Sequence, residues 1–205
     1  MAAAFTVFLL SPASCSGTRA QLLLKSRTSP LTARLANGGA PLGEVFTFMS
    51  SLYFRGKLAY ANAFGAPPRG WSGALVIAPG RGLIAADVPI GLMDLQEMAE
   101  VPVDEDEPRY REPLVQHATA LERALGPDGR AVLLGSVATE KYVGPLMDVL
   151  GDRLLFPPTF AGRGDMSRGG LMLRCARAGT PLDYMPVRGA VRHGPKPPKL
   201  GPAPR

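Results

Sequence analysis

FTVFLLSPASCSGTR, residues 5 to 19, contains a change of backbone state that decides the fold. Phe5 to Leu10 is a continuous apolar run with no polar alternation, which predicts a short strand buried on both faces, as in a parallel sheet. Ser11-Pro12 ends it, because proline cannot donate to a sheet ladder. After the Ser/Gly loop SPASCSG, the segment TRAQLLLKS (18–26) predicts a helix, with Ser16 or Thr18 available as its N-cap.

The same apolar signature returns twice, at GALVIAP (73–79) and RAVLLGS (130–136), and RLLFPPTF (153–160) supplies a short fourth strand. Helical periodicity fills the intervals. PLGEVFTFMSSLYFRGKLAYANAFG (41–65) reads as one amphipathic helix or a pair broken near Arg55-Gly56. RYREPLVQHATALERALGPDG (109–129) places Leu114, His117 or Ala118, Leu121 and Leu125 on one face before a Gly-Pro stop. TEKYVGPLMDVLG and SRGGLMLRCARAG predict two more helices, the last capped by Ser167. Strands alternating with helices predict an α/β fold: a single domain with a mostly parallel central sheet flanked by helices. Ligands of such sheets bind at the carboxyl ends of strands, here SPASCSGTR, PGRGLIAAD and GSVATEKY.

At 205 residues and 46% hydrophobic, the chain can bury one sizeable core. The net charge of +6 comes mostly from Arg188, Arg192, Lys196, Lys199 and Arg205, which lie in a stretch with no acidic residue. Residues 1–187 therefore read as the α/β unit and 188–205 as a basic, Pro/Gly-rich tail, extended or disordered, either a solvated appendage or a phosphate-contacting arm. No stretch approaches the length of a membrane span, and no Lys or Arg precedes the first apolar run as a signal peptide requires, so the expected location is the cytoplasm, without membrane association. Cys15 and Cys175 have no partners at metal-ligand spacing; neither a disulfide framework nor a metal site is expected, and no cofactor is implied. The acidic run EVPVDEDEPRYRE (100–112) reads as a solvated connection.

GRGDMSRGGLMLR (162–174) packs three Arg and four Gly into thirteen residues. Its glycines allow close backbone approach, and Arg163 and Arg168 supply phosphate donors, with Ser167 beside them. Asp165 can orient an Arg, cap a helix or serve as a base. Cys15, in a loop before a helix N-terminus with Arg19 nearby, is a candidate nucleophile with a lowered pKa if exposed, and otherwise an incidental thiol. A dyad with His117 or His193 has no support in sequence spacing. In FRGKLAY (54–60), Arg55 and Lys57 with Tyr60 can hold a phosphate and stack a base, or form a plain basic helix face. Ser11, Arg81 and Lys141 complete the phosphate-binding candidates at the strand ends.

Three of these loops, in this order, resemble the YaaA family. FLLSPASCSG is similar to that family's opening strand and Ser-Pro-Ala turn. LYFRGKLAYANAF followed by ALVIAPGRGLIAADVPIGLMDLQEM resembles its helix and next strand, with Gly82, Leu83, Ile84, Asp87 and Glu97-Met98 as counterparts. GRGDMSRGGLMLR is similar to its late Ala-Arg-Gly stretch. The resemblance covers roughly residues 5 to 175 as spaced islands, and related uncharacterised bacterial proteins share the layout. Arg81 stands where the family tends to an aromatic residue. The resemblance implies a cytoplasmic α/β protein whose relatives are associated with DNA binding and with limiting oxidative damage from iron; no His/Glu constellation here carries over an iron site.

Two functions follow as expectations. One is a nucleic-acid-binding or phosphate-ligand-binding protein, stress-associated, that uses the Gly/Arg loop at the strand-end cleft. The other is an enzyme acting on a nucleotide or nucleoside, with Cys15 or Asp165 as the reactive group. The sequence does not specify an oligomeric state.

Overall fold

A computed structural model of the chain describes residues 4–25, 29–198 and 200–201. In chain order the elements are β1 (Thr6–Leu10), α1 (Thr18–Lys25), α2 (Pro30–Ala36), β2 (Ala40–Pro41), α3 (Leu42–Ser50), α4 (Leu52–Phe64), β3 (Ala74–Ala78), β4 (Gly82–Ala85) and β5 (Pro89–Ile90). They continue with α5 (Leu92–Ala99), α6 (Pro108–Leu125), β6 (Arg130–Leu134), α7 (Glu140–Leu150), β7 (Leu154–Phe156), α8 (Asp165–Ala178) and β8 (Met185–Pro186). Ser26, Lys199 and Arg205, read above as helix end and tail charges, lie outside the described residues.

The fold is α/β, with a six-stranded sheet in the order β4-β3-β1-β6-β7-β8. The inner strands β3, β1, β6 and β7 are parallel, and each edge is closed by an antiparallel strand, β4 or β8. All five residues of β1 are buried, and its side chains alternate between two cores. Phe8 and Leu10 face a core built with α1 to α5 and α8, whereas Val7 and Leu9 face one built with α6 and α7. That is why the run FTVFLL shows no polar alternation.

Three local expectations are corrected. The helix pair over residues 41–65 breaks at Ser51, which sits at φ 51°, and not at Arg55-Gly56. Gly56 lies inside α4 because α8 crosses it there: a Cβ on Gly56 would stand 2.5 Å from the carbonyl oxygen of Gly169. Second, GLIA (82–85) is a strand and not part of a strand-end loop. Gly80 and Gly82, both at φ 72°, turn the chain so that β4 runs back along β3. Third, α8 begins at Asp165 with Gly164 as N-cap, so Ser167 lies inside the helix. Thr139 occupies the N-cap position of α7, and its side chain makes no capping hydrogen bond.

The described part of the basic tail runs past α7 and the loop before α8. Arg188 pairs with Asp152 at 2.7 Å and Arg192 with Glu140 at 2.5 Å. At Gly162 the backbone of Gly194-Pro195 comes so close that a Cβ there would collide with it. Among the described residues no helix is long and apolar enough to cross a membrane.

Candidate functional site at the strand ends

The parallel strands end at one edge of the sheet, at Ser11, Pro79, Gly135 and Pro157. β1 connects over one face to β3 on its left, while β6, its neighbour on the right, connects over the other face to β7. The two connections leave in opposite directions, so the chain opens a crevice between the ends of β1 and β6. A cavity of about 320 Å³ sits there, lined by Ser11 to Ser14, Tyr53, Ser136, Lys141, Tyr142 and Asp165. A second cavity of about 530 Å³, bounded by Cys15, Pro79 and residues 98–103, shares Pro12 to Ser14, Lys141 and Tyr142 with it.

Behind Ser11 lies a fully buried lysine. Lys57 Nζ donates to Ser11 Oγ at 2.7 Å and to the Ser11 carbonyl oxygen at 2.9 Å, and it stands 3.8 Å from the centre of the Tyr53 ring. Among the described residues no carboxylate pairs with it. Burial pushes the ammonium pKa down to about 7; the charge of Asp165 opposes this and that of Arg168 adds to it. Tyr53, four residues earlier on α4, is buried, and among the described residues its hydroxyl has no hydrogen-bond partner although Ser11 and Arg168 lie close to it. Burial holds that phenol up at about 12.

The cations of the Gly/Arg loop serve the fold. Arg168 is buried, and its Nε and Nη2 both donate to the Phe160 carbonyl, at 3.2 and 3.0 Å. Arg163 donates to the Thr159 carbonyl (3.0 Å) and to Ser167 Oγ (3.1 Å). Asp165, at the first turn of α8, lines the cleft with its side chain largely exposed, 3.6 Å from Arg168. The expected phosphate cradle is thus a self-bonded turn that seats α8, with only Asp165 turned to the cavity.

Other candidates separate in space. Arg81 donates to Asp94 at 2.5 Å and to Glu97 at 2.6 Å. Arg19 donates to the Phe48 carbonyl at 3.3 Å. Arg55 and Asp87 line a different cavity of about 510 Å³ with Glu44 and Asn62, because β4 carries the chain back to the opposite end of β3 before Asp87. Tyr60 cannot stack on a base: its hydroxyl bonds that of Tyr184 at 2.5 Å and accepts from Leu182 N–H at 2.7 Å, within the core. Cys15 is buried, its Sγ 3.7 Å from the Ala13 carbonyl, and burial pushes its thiol up to about 12. The expected lowering of its pKa does not occur, because Cys15 is buried and desolvation disfavours the thiolate, while Arg19 is turned to Phe48. His117 accepts from Leu83 N–H at 3.0 Å and has no part in the cleft.

Lys141 lines both strand-end cavities and makes no ion pair among the described residues. Among those residues no group of three or more His, Cys, Asp or Glu side chains is placed to hold a metal ion. Ser11, Lys57 and Lys141 were individually visible in the sequence, but the pairing of Ser11 with Lys57 was not. Tyr53 was legible only as a core position of an amphipathic helix; its i,i+4 spacing to Lys57 was the one available signal. No protein-family model, curated protein or solved structure matches this chain.

Proposed function

We propose that the chain binds a small phosphate-bearing ligand of the nucleotide type in the crevice between the ends of β1 and β6. The observation that carries this reading is the cleft's polar equipment at the point where the strand connections diverge. Lys141 faces it without an ion-pair partner among the described residues, Ser14 and Ser136 offer hydroxyls, and the side chains of Tyr53 and Tyr142 line the wall. A phosphate suits the cation and hydroxyls, and a base suits an aromatic wall.

The engagement of Arg163, Arg168 and Arg81 inside the fold favours a compact ligand over a long polyanion, which would need several free cations along its track. The resemblance to the YaaA family supplies nucleic-acid binding as the competing outcome.

Calorimetric titration with nucleoside mono-, di- and triphosphates and with inorganic phosphate tests the proposal, beside DNA and RNA oligomers across a salt series. Nucleotide binding that weakens about tenfold or more in Lys141→Ala supports it, since a charge-assisted hydrogen bond contributes about 1.5–3 kcal/mol. Oligomer binding with a steep salt dependence and no nucleotide binding replaces it with the nucleic-acid reading.

A further inference from the structure

We propose that Ser11 and Lys57 form a nucleophile–base pair for acyl transfer, with Ser11 Oγ attacking the carbonyl carbon of a carboxylic ester held in the strand-end cleft. The inference rests on that cleft being the ligand site, and not on the ligand carrying a phosphate.

Three observations converge on this pair. Ser11 is the first residue after β1, and it lines the cavity on one side while its hydroxyl meets Lys57 Nζ at 2.7 Å on the other. Lys57 is fully buried with no paired carboxylate among the described residues, an arrangement that costs stability unless the amine is neutral. Gly135, at the end of β6, leaves the room that Ser11 occupies: a Cβ there would come within 2.9 Å of Ser11 Oγ.

A serine hydroxyl is a weak nucleophile until a base takes its proton, and a neutral amine at hydrogen-bond distance is such a base. The groups that surround Lys57 are Tyr53 on its own helix, Asp165 and Arg168 on α8, and the Ser11 main chain; Tyr142 on α7 lies beyond Tyr53. With its pKa near 7, the amine carries the proton for part of the cycle and releases it for the rest.

In the first step, Lys57 Nζ takes the Ser11 proton as the Oγ–carbon bond forms and the carbonyl electrons move onto oxygen. The phenol of Tyr53, buried beside Ser11 and without a hydrogen-bond partner among the described residues, is the side chain assigned as donor to that oxyanion. The intermediate collapses, the bond from carbon to the leaving oxygen breaks, and the alcohol departs with the proton from Lys57. Water then attacks the acyl-serine, gives its proton to Lys57 and releases the carboxylic acid, and the proton returns to Ser11. The net reaction is ester plus water to acid plus alcohol, with no change in oxidation state.

The test is covalent labelling of the full chain with an alkyl fluorophosphonate, read by intact mass and peptide mapping, beside p-nitrophenyl acetate hydrolysis. The expected result is one adduct on Ser11, absent in Ser11→Ala, forming faster as pH rises through about 7. Lys57→Met should slow it at least about a hundredfold, within the range of general-base contributions. Should Lys57→Met fail to fold, the pH profile of the unmodified protein carries the test. Absence of a Ser11 adduct on folded protein overturns the proposal, as does a labelling rate flat between pH 6 and 9. Labelling of Ser11 without nucleotide binding would remove the phosphate-ligand reading and leave this one standing; nucleotide binding without labelling would do the reverse.

Discussion

Gly56 of α4 and Gly169 of α8 pack backbone to backbone where the two helices cross. A Cβ on Gly56 would stand 2.5 Å from the Gly169 carbonyl oxygen, and one on Gly169 would stand 2.7 Å from that of Leu52. This crossing holds α4, and with it Tyr53 and Lys57, against the helix that begins at Asp165. Gly56→Ala and Gly169→Ala should each destabilise the protein by about 1–3 kcal/mol through overpacking. Gly170→Ala is the control: its nearest neighbour would be Leu200 Cδ1 at 3.5 Å, and the change should be neutral or stabilising by up to about 1 kcal/mol. Urea denaturation of the three variants distinguishes them.

Lys57 should make stability rise with pH between about 7 and 9. Its folded pKa is lowered to about 7 from 10.5, so above pH 7 the unfolded chain holds a proton that the folded chain has released, and raising the pH favours the folded state. The penalty is fully present below the folded pKa and is relieved as pH climbs toward the unfolded one, at a slope approaching about 1.4 kcal/mol per unit. Above about 9 the slope should reverse, because burial raises the folded pKa values of Cys15, Tyr53, Tyr110 and Tyr142 and the unfolded chain loses those protons first. Denaturant midpoints measured from pH 6 to 10 should show the rise in the parent protein and none in Lys57→Met.

Arg168 should prove structural. Arg168→Ala removes the two guanidinium donors of the Phe160 carbonyl, which keeps the Arg163 backbone N–H at 3.1 Å, and should cost about 1–3 kcal/mol, whereas Arg163→Ala, at a less buried site, should cost less. Thermal unfolding of the two variants measures the difference; equal, small losses would mean that Arg168 does not anchor the turn.

Cys15 should resist alkylation in the native state. With iodoacetamide at pH 8, Cys175, which is only partly buried, should be modified first, and Cys15 at least about tenfold more slowly, because desolvation holds its thiol protonated. Mass mapping over time reads both rates. Comparable rates would show that the loop 11–17 opens readily.

Much of the architecture was legible because burial writes itself into composition. The runs FTVFLL, ALVIA and RAVLL are apolar along both faces because helices cover both sides of the sheet, and the stripe Leu114, Ala118, Leu121, Leu125 is the buried face of α6. What was illegible depended on single dihedrals and on partners distant in the chain. Two glycines at positive φ turned GLIA into a strand and carried Asp87 away from the cleft. One positive φ at Ser51 split the helix pair, and that rotation sets which way Arg55, Lys57 and Tyr60 face.

By itself, then, the sequence determined the α/β class and the apolar runs that become the parallel strands, because hydrophobic periodicity is a local property. Only the tertiary structure decided the charge roles. Arg163 and Arg168 read as ligands while their partners, carbonyls with no side-chain signature, were invisible; Lys57 read as a surface cation until α8 and β1 closed over it. Hydrogen-bond satisfaction and desolvation are set by contacts across long sequence separations, such as the 46 residues between Ser11 and Lys57, and no local pattern encodes them.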